Sequence, residues 1–321
     1  MKPFMQPLAL AAALLAALPA TAQNYPVRPV RVIVPFAAGG NTDITARAIG
    51  ARLAEVFGQQ IVVENRPGGA TNIGTELVAK APPDGYTILM GGATNAINMS
   101  TQAKPPYDTL RDFAPVILCV KGANVLSMHP SVPAKNLKEL IALARARPGQ
   151  LNFASSGLGS SNQMAGELFK MMANINIVHV PYKGNAPALT DTMAGHVEMM
   201  FSGVPALIPH IQSGRLRAIA IGSLKRFTAI PEVPTFDESG VKGYEATTWF
   251  GLMAPVRTPK DIVGRWNAEV GKILASPDLK GRFINDGLEP MGGTQEEFGR
   301  FIRSEIEKYA KVVKATGMKP Q

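Results

Sequence analysis

Apolar strand-like runs and amphipathic helix-like runs alternate along almost the whole chain, with glycine- and proline-rich turns between them. Such alternation predicts an α/β protein with mainly parallel sheets. Two of the turns, one in each half, are unusually rich in glycine and each stands between a strand-like and a helix-like run. Together with the length of 321 residues, they predict two lobes. The chain is expected to cross to the second lobe near residue 125 and to return near residue 247.

The first element is the apolar run Val30 to Val34, followed by PFAAGGNTD (Pro35 to Asp43) and an amphipathic segment ending near Phe57. This is a strand, a glycine turn and a helix start. The glycines let the backbone turn sharply and approach a ligand closely. The first amides of the helix then face that ligand with partial positive charge. The second half repeats the device. SSGLGSSNQ (Ser155 to Gln163) follows the short strand Leu151 to Ala154 and leads into the helix-like run Met164 to Met172. Two such loops predict a small acid gripped from two sides.

Between and beyond them the pattern continues. Ile61 to Val63 reads as a strand, followed by a turn-rich stretch and a helix through about Lys80. Asp84-Gly85 turns into the strand Tyr86 to Met90 and the small polar loop Gly91 to Asn95. Separate strands are expected near Pro115 to Val120 and Val125 to His129. Asn136 and Glu139 cap the next helix, whose face is formed by Leu137, Leu140, Ile141 and Ala144. Ile177 to Pro181, Val197 to Phe201 and Leu216 to Ile221 are further strands. The proline- and glycine-bearing stretch Phe227 to Glu245 reads as a crossing segment rather than a packed unit. A last helix opens with the capping box Thr294/Glu297 and is expected to pack back on the first lobe.

Composition narrows the function. Lys2, the apolar run Leu8 to Leu18 and Ala20-Thr21-Ala22 predict an export signal cut after Ala22, too short to anchor the chain. No cysteine follows that site, which argues against a lipid anchor there. Cys119 is the only cysteine and lies in an apolar run, so it reads as a buried, inert thiol. The net charge of +9 is spread thinly, without a basic arm or interleaved aromatics. That speaks against nucleic acid and for a diffuse field that attracts small anions. His129, His179, His196 and His210 show no metal-ligand spacing, and no metal or cofactor is expected.

Four stretches in order carry a family resemblance: PFAAGGNTD, SSGLGSSNQMAGELF (Ser155 to Phe169), HVPYKGNAPAL (His179 to Leu189) and TWFGLMAPVRTP (Thr248 to Pro259). On these the chain resembles the Bug-type periplasmic solute receptors of tripartite tricarboxylate transporters, over essentially its whole length. The resemblance implies a two-lobed, type II periplasmic-binding-protein-like fold closing about a hinge. It implies a signal peptide over 1–22, a first lobe from 23–124 and 248–321, and a second from 125–247. It also implies a monomeric receptor that hands a carboxylate to membrane permease subunits, with a ligand held by loop amides, hydroxyls and ordered water.

Carried over residue by residue, Phe36, Ala37, Gly39, Gly40 and Asp43 would form the first-lobe floor, with Thr94 and Asn95 beside it. Ser156, Gly157, Ser160, Ser161 and Gln163 would form the opposing loop, and Tyr182, Lys183 and Gly184 the next one. Two departures stand out: Gln163 where histidine is expected, and Ser202 where relatives often place aspartate. A serine at 202 offers no charge to an ammonium group, so a di- or tricarboxylate or an aromatic acid is favoured over an amino acid. Simpler readings stand beside these. Asp43 suits any helix start, Ser160 and Ser161 any N-cap, and Tyr182-Lys183 any solvated loop. Trp249 and Phe250 read as core near the hinge.

An enzyme is disfavoured. There is no GxSxG elbow or Walker lysine, GLGSSN breaks the GxGxxG pattern, and Gln163 cannot serve Ser160 as a base. A sensor component for a membrane histidine kinase and a periplasmic carboxylate enzyme remain the alternatives to a transport receptor.

Overall fold

The computed structural model describes residues 25–182 and 184–320. The predicted export signal and Lys183 lie outside them. Among the described residues, ten strands and ten helices form two α/β lobes that share one continuous ten-stranded sheet.

The first lobe opens with β1 (Val30–Val34), α1 (Asn41–Phe57), β2 (Ile61–Asn65), α2 (Asn72–Ala79), β3 (Thr87–Gly92) and α3 (Ala93–Thr101). β2, β1 and β3 run parallel, as the strand–turn–helix alternation demands. Val30, Val32 and Val34 on β1 pack with Ile49, Leu53 and Phe57 of α1 in a common core. Burial on both faces explains why β1 is apolar apart from Arg31, which is half-buried and paired with Glu64 of β2.

The long strand β4 (Phe113–Met128) follows. The two strands expected near Pro115 and Val125 are one, because the backbone passes through Gly122 and Ala123 without losing its ladder. Up to Ala123 it pairs with β9 (Thr247–Pro255); from Asn124 onward it pairs with β7 (Met199–Gly203), and from Val125 with β8 (Arg217–Ile221). β10 (Leu288–Gly292) lies along its middle, residues 118–122. All four pairings are antiparallel. The crossover strand leaves one lobe as its return partner β9 comes back, so the two must run in opposite senses. Mainly parallel sheets are therefore confined to the outer parts of each lobe.

The second lobe holds α4 (Leu137–Ala146), β5 (Asn152–Ser155), α5 (Ser161–Ala173), β6 (Val178–Pro181), α6 (Asn185–Met193) and α7 (Val204–Gln212), with β5 parallel to both β6 and β7. The stretch 227–245 packs more tightly than its prolines suggest. Phe236 and Tyr244 are wholly buried and stack with ring centroids 4.0 Å apart, and Tyr244 donates to the Ala165 carbonyl at 2.9 Å. Its apolar residues, too sparse to show a period, outweigh the turn signals.

After β9 the chain adds α8 (Lys260–Ala275), α9 (Pro277–Asn285) and α10 (Gln295–Thr316). The Thr294/Glu297 box closes as expected, each residue satisfying the other's amide. α10 packs on α3 and also on α5, so it spans both lobes. Trp249 is buried in the same core and donates from Nε1 to Glu305 of α10 at 3.0 Å. Burying an indole of this size contributes roughly 4–6 kcal/mol of transfer free energy. Cys119 is fully buried, and burial pushes its thiol up to about 12.

Candidate ligand cleft

Besides α3, whose N-cap Gly92 has its own amide held by Asn95, three helices begin at glycines that carry no capping side chain: α1 at Gly40, α6 at Gly184 and α7 at Gly203. Their first amides therefore have neither an intrahelical partner nor a side-chain one. The fold gathers these three starts. A methyl added at Gly203 would stand 3.9 Å from Asn41 Nδ2, across the gap between the lobes. Ser202 donates from Oγ to Asn185 Oδ1 at 3.0 Å, tying the start of α7 to that of α6. The Gly184 amide donates to the Ser156 carbonyl at 3.1 Å, tying α6 to the second glycine loop. The macrodipoles thus point positive ends into one cleft.

The two glycine loops are built alike. In the first, the Gly39 amide donates to Asp43 Oδ2 at 2.9 Å; in the second, the Gly159 amide donates to Gln163 Oε1 at 2.7 Å. Both glycines are left-handed, with φ of 79° and 71°, which no other residue adopts cheaply. A side chain on the first helical turn reaches back to hold the loop in each case. Asp43 and Gln163 are both buried, so they shape the loops from beneath.

Asp43 is also neutralised. Arg47 Nε lies 3.0 Å from its Oδ1, close enough for charge pairing though off the line of a hydrogen bond. Burial by itself would raise this carboxyl, but Arg47 and the Gly39 amide outweigh it and hold Asp43 below the usual carboxylate range.

The other expected residues divide. Ala37, Gly39 and Gly40 are exposed on the cleft loop, and Phe36 is half-buried with its ring edge-on to Phe250. Gly157, Ser156, Ser161 and Gly184 are half-buried around the second loop, and Thr94 is half-buried in the first turn of α3. Ser160 caps α5, accepting from the Gln163 amide at 3.2 Å. Asn95 is wholly buried, accepting from the Gly92 amide at 2.8 Å and donating to Thr75 at 2.9 Å. Tyr182 turns its hydroxyl to Asp191 at 2.8 Å; burial and that carboxylate push it up to about 12. Ser202 is buried and meets the cleft through Asn185.

Several groups escaped sequence reasoning. Asn41 and Asn185 each follow the glycine that opens a helix, and that repeated Gly-Asn pair was a usable signal. Asn98 holds a buried Oδ1 without a hydrogen-bond partner, 4.0 Å from where a methyl at Gly159 would stand. Beside it, Ala70 and Thr71 are left-handed at φ 51° and 76° without being glycine. Left-handed backbone and an unsatisfied buried oxygen thus lie side by side at that edge of the cleft.

A polar chain also links the second loop to the crossover. Ser156 donates to Asn162 Oδ1 at 2.7 Å, Asn162 to Asn124 Oδ1 at 3.0 Å, and Asn124 to the Ala246 carbonyl at 3.2 Å. Asn124 is where β4 changes partners.

Ser155 and His179 form a pair at 2.6 Å, a geometry that hydrolases use. Here Ser155 is wholly buried, and its Oγ also binds the Gly157 amide and carbonyl. Burial, aided by Lys170, lowers His179 to about 4, so the ring is neutral. The pair braces the loop.

Comparison with known proteins agrees with this geometry. A family model described as "Tripartite tricarboxylate transporter family receptor" matches residues 45–318. The chain is 38% identical to protein BugT of Bordetella pertussis over 305 residues, covering 94% of each. Among solved structures, it is similar to Rpa4515 of R. palustris with adipate, with a TM-score of 0.84 and 39% identity over 92% of this chain and all of that one. MatC (Rpa3494) from Rhodopseudomonas palustris with bound malate follows at 0.79 and 31%, over 90% of this chain and all of that one.

Proposed function

The chain belongs to the tripartite tricarboxylate transporter receptor family, and from that premise we propose that it captures a small dicarboxylate by lobe closure for uptake through a membrane permease. It is a solute-binding receptor rather than an enzyme, of a family that works in the periplasm. Export would follow cleavage after Ala22. Lobe boundaries at 124/125 and 247/248 suit the change of partners in β4.

The observation that carries the reading is the convergence of three uncapped helix starts, one from the first lobe and two from the second. A ligand with a carboxylate at each end can engage both lobes only when they close, so it stabilises the closed state. Dicarboxylates are supported further by adipate and malate in the similar structures. An amino acid is disfavoured because Asp43, the acid nearest the cleft floor, is already paired with Arg47, and Ser202 is neutral.

Calorimetric titration with adipate, malate, citrate and aspartate tests this. Adipate or malate should bind at 1:1 and stabilise the fold by about 2.7 kcal/mol at a hundredfold excess over Kd. Tight aspartate binding with no response to the dicarboxylates would overturn it. Slower uptake of the bound acid in cells lacking the protein tests the transport role.

A further inference from the structure

A cavity of about 510 Å³ lies against the crossover strands and shares no residue with the glycine-loop cleft. Its walls come from both crossings, residues 121–123 and Glu245 with Thr247. The loop 223–228 of the second lobe and the α9–β10 region of the first complete it. We infer that this cavity is a second ligand site, which takes a small organic anion with an aromatic or branched apolar body. The inference rests on the two-lobed receptor reading but not on the identity of the cleft ligand.

Charge and polarity argue for that class. Lys121, Lys225, Arg226 and Lys280 line the cavity against Glu245 and Glu289. Arg226 is taken by Glu238 at 2.9 Å, and Lys121 lies 3.7 Å from Glu245. Among the described residues no carboxylate lies within ion-pairing distance of Lys225 or Lys280, which line the cavity from different lobes. An anion in the cavity would meet a lining with more cations than carboxylates, two of the cations without a carboxylate partner.

The remaining wall is apolar. Phe227 and Leu288 line it, and Leu224 and Met291, 57% and 42% exposed, add apolar surface on the same wall. Thr247, also in the wall, has a buried hydroxyl without a hydrogen-bond partner. A rotation about χ1 would offer it to an occupant, relieving the cost of leaving it unpaired. A volume of this size, with an apolar stretch beside converging cationic groups, suits a small amphipathic anion.

Because the walls belong to both lobes, an occupant contacts each of them, and its affinity must depend on the angle between them. Linkage then requires the cleft ligand and the hinge ligand to alter each other's affinity by one common factor.

The probe is 2-naphthoate, titrated into the purified protein alone and again with adipate or malate saturating the cleft. It should bind at 1:1 in both cases, with a Kd that differs several-fold between them. Lys225→Glu combined with Lys280→Glu should weaken naphthoate at least tenfold while leaving dicarboxylate affinity unchanged; both lysines are exposed, so folding is preserved. Leu224→Asp provides an independent second lesion with the same expected loss. Displacement of naphthoate by the dicarboxylate, or full naphthoate affinity in both variants, would overturn the site. An identical Kd with and without the dicarboxylate would overturn the coupling. If no dicarboxylate binds at all, the naphthoate titrations of the three proteins still decide the hinge site separately.

Discussion

Asp43 and Gln163 occupy equivalent places in their loops, each accepting a glycine amide four residues back. Gln163→Leu therefore leaves the Gly159 amide without its partner, which costs about 1–3 kcal/mol and should appear as a lowered urea midpoint with unchanged m-value. Asp43 adds a pH dependence. Its folded pKa is depressed, so its stabilisation is present above the ordinary carboxylate range and is lost as pH falls through the folded value. His179 acts at higher pH. In the unfolded chain it takes up a proton near 6.5, whereas burial lowers its folded value to about 4. Stability is thus full above about 6.5 and declines as pH falls toward 4. His179→Gln should lack that component, which urea denaturation at pH 7 and pH 5 would read; an equal loss in both proteins would refute it. The chain's letters announced the two glycine turns, because glycines cluster where the backbone must turn ahead of a helix. They could not announce that Tyr182 turns away to Asp191 or that Asn95 is spent on its own helix, since those outcomes depend on neighbours distant in sequence.

Single elements carry the next level of behaviour. A Cβ at Gly40 would meet only the Ala37 carbonyl, at 3.5 Å, and φ there is −79°, so the start of α1 tolerates a side chain. Gly40→Val should fold normally by circular dichroism yet lose most dicarboxylate affinity in calorimetry; full affinity would remove this loop from the site. β4 offers a subtler lesion. Asn124→Leu cuts the chain from Ser156 through Asn162 to the Ala246 carbonyl, and at about 1–1.5 kcal/mol per hydrogen bond should weaken the ligand roughly tenfold. Unchanged affinity would show that the crossover does not position the loop. Most elements were readable from period and punctuation, as in β1, α1 and α10. The unbroken course of β4 was not, because glycine at 122 marks a close approach to Leu288 and Thr248 rather than a turn.

For the whole molecule, closure is the property to measure. Gly203 lets α7 approach Asn41 across the cleft, so Gly203→Leu should wedge the lobes apart. Small-angle scattering should show the wild type contracting when the dicarboxylate is added and the variant contracting less. A wild-type radius of gyration unmoved by saturating ligand would refute closure.

That β4 runs as one strand through both lobes has a thermodynamic corollary. Melting either lobe would strip hydrogen-bond partners from the same strand that holds the other, and α10 and the central core draw residues from both. Whatever their relative motion, the lobes should denature as one, giving a single calorimetric peak whose van't Hoff and measured enthalpies coincide. A protein cut at the crossover would yield not two modules but two fragments, each with an exposed sheet edge inviting aggregation.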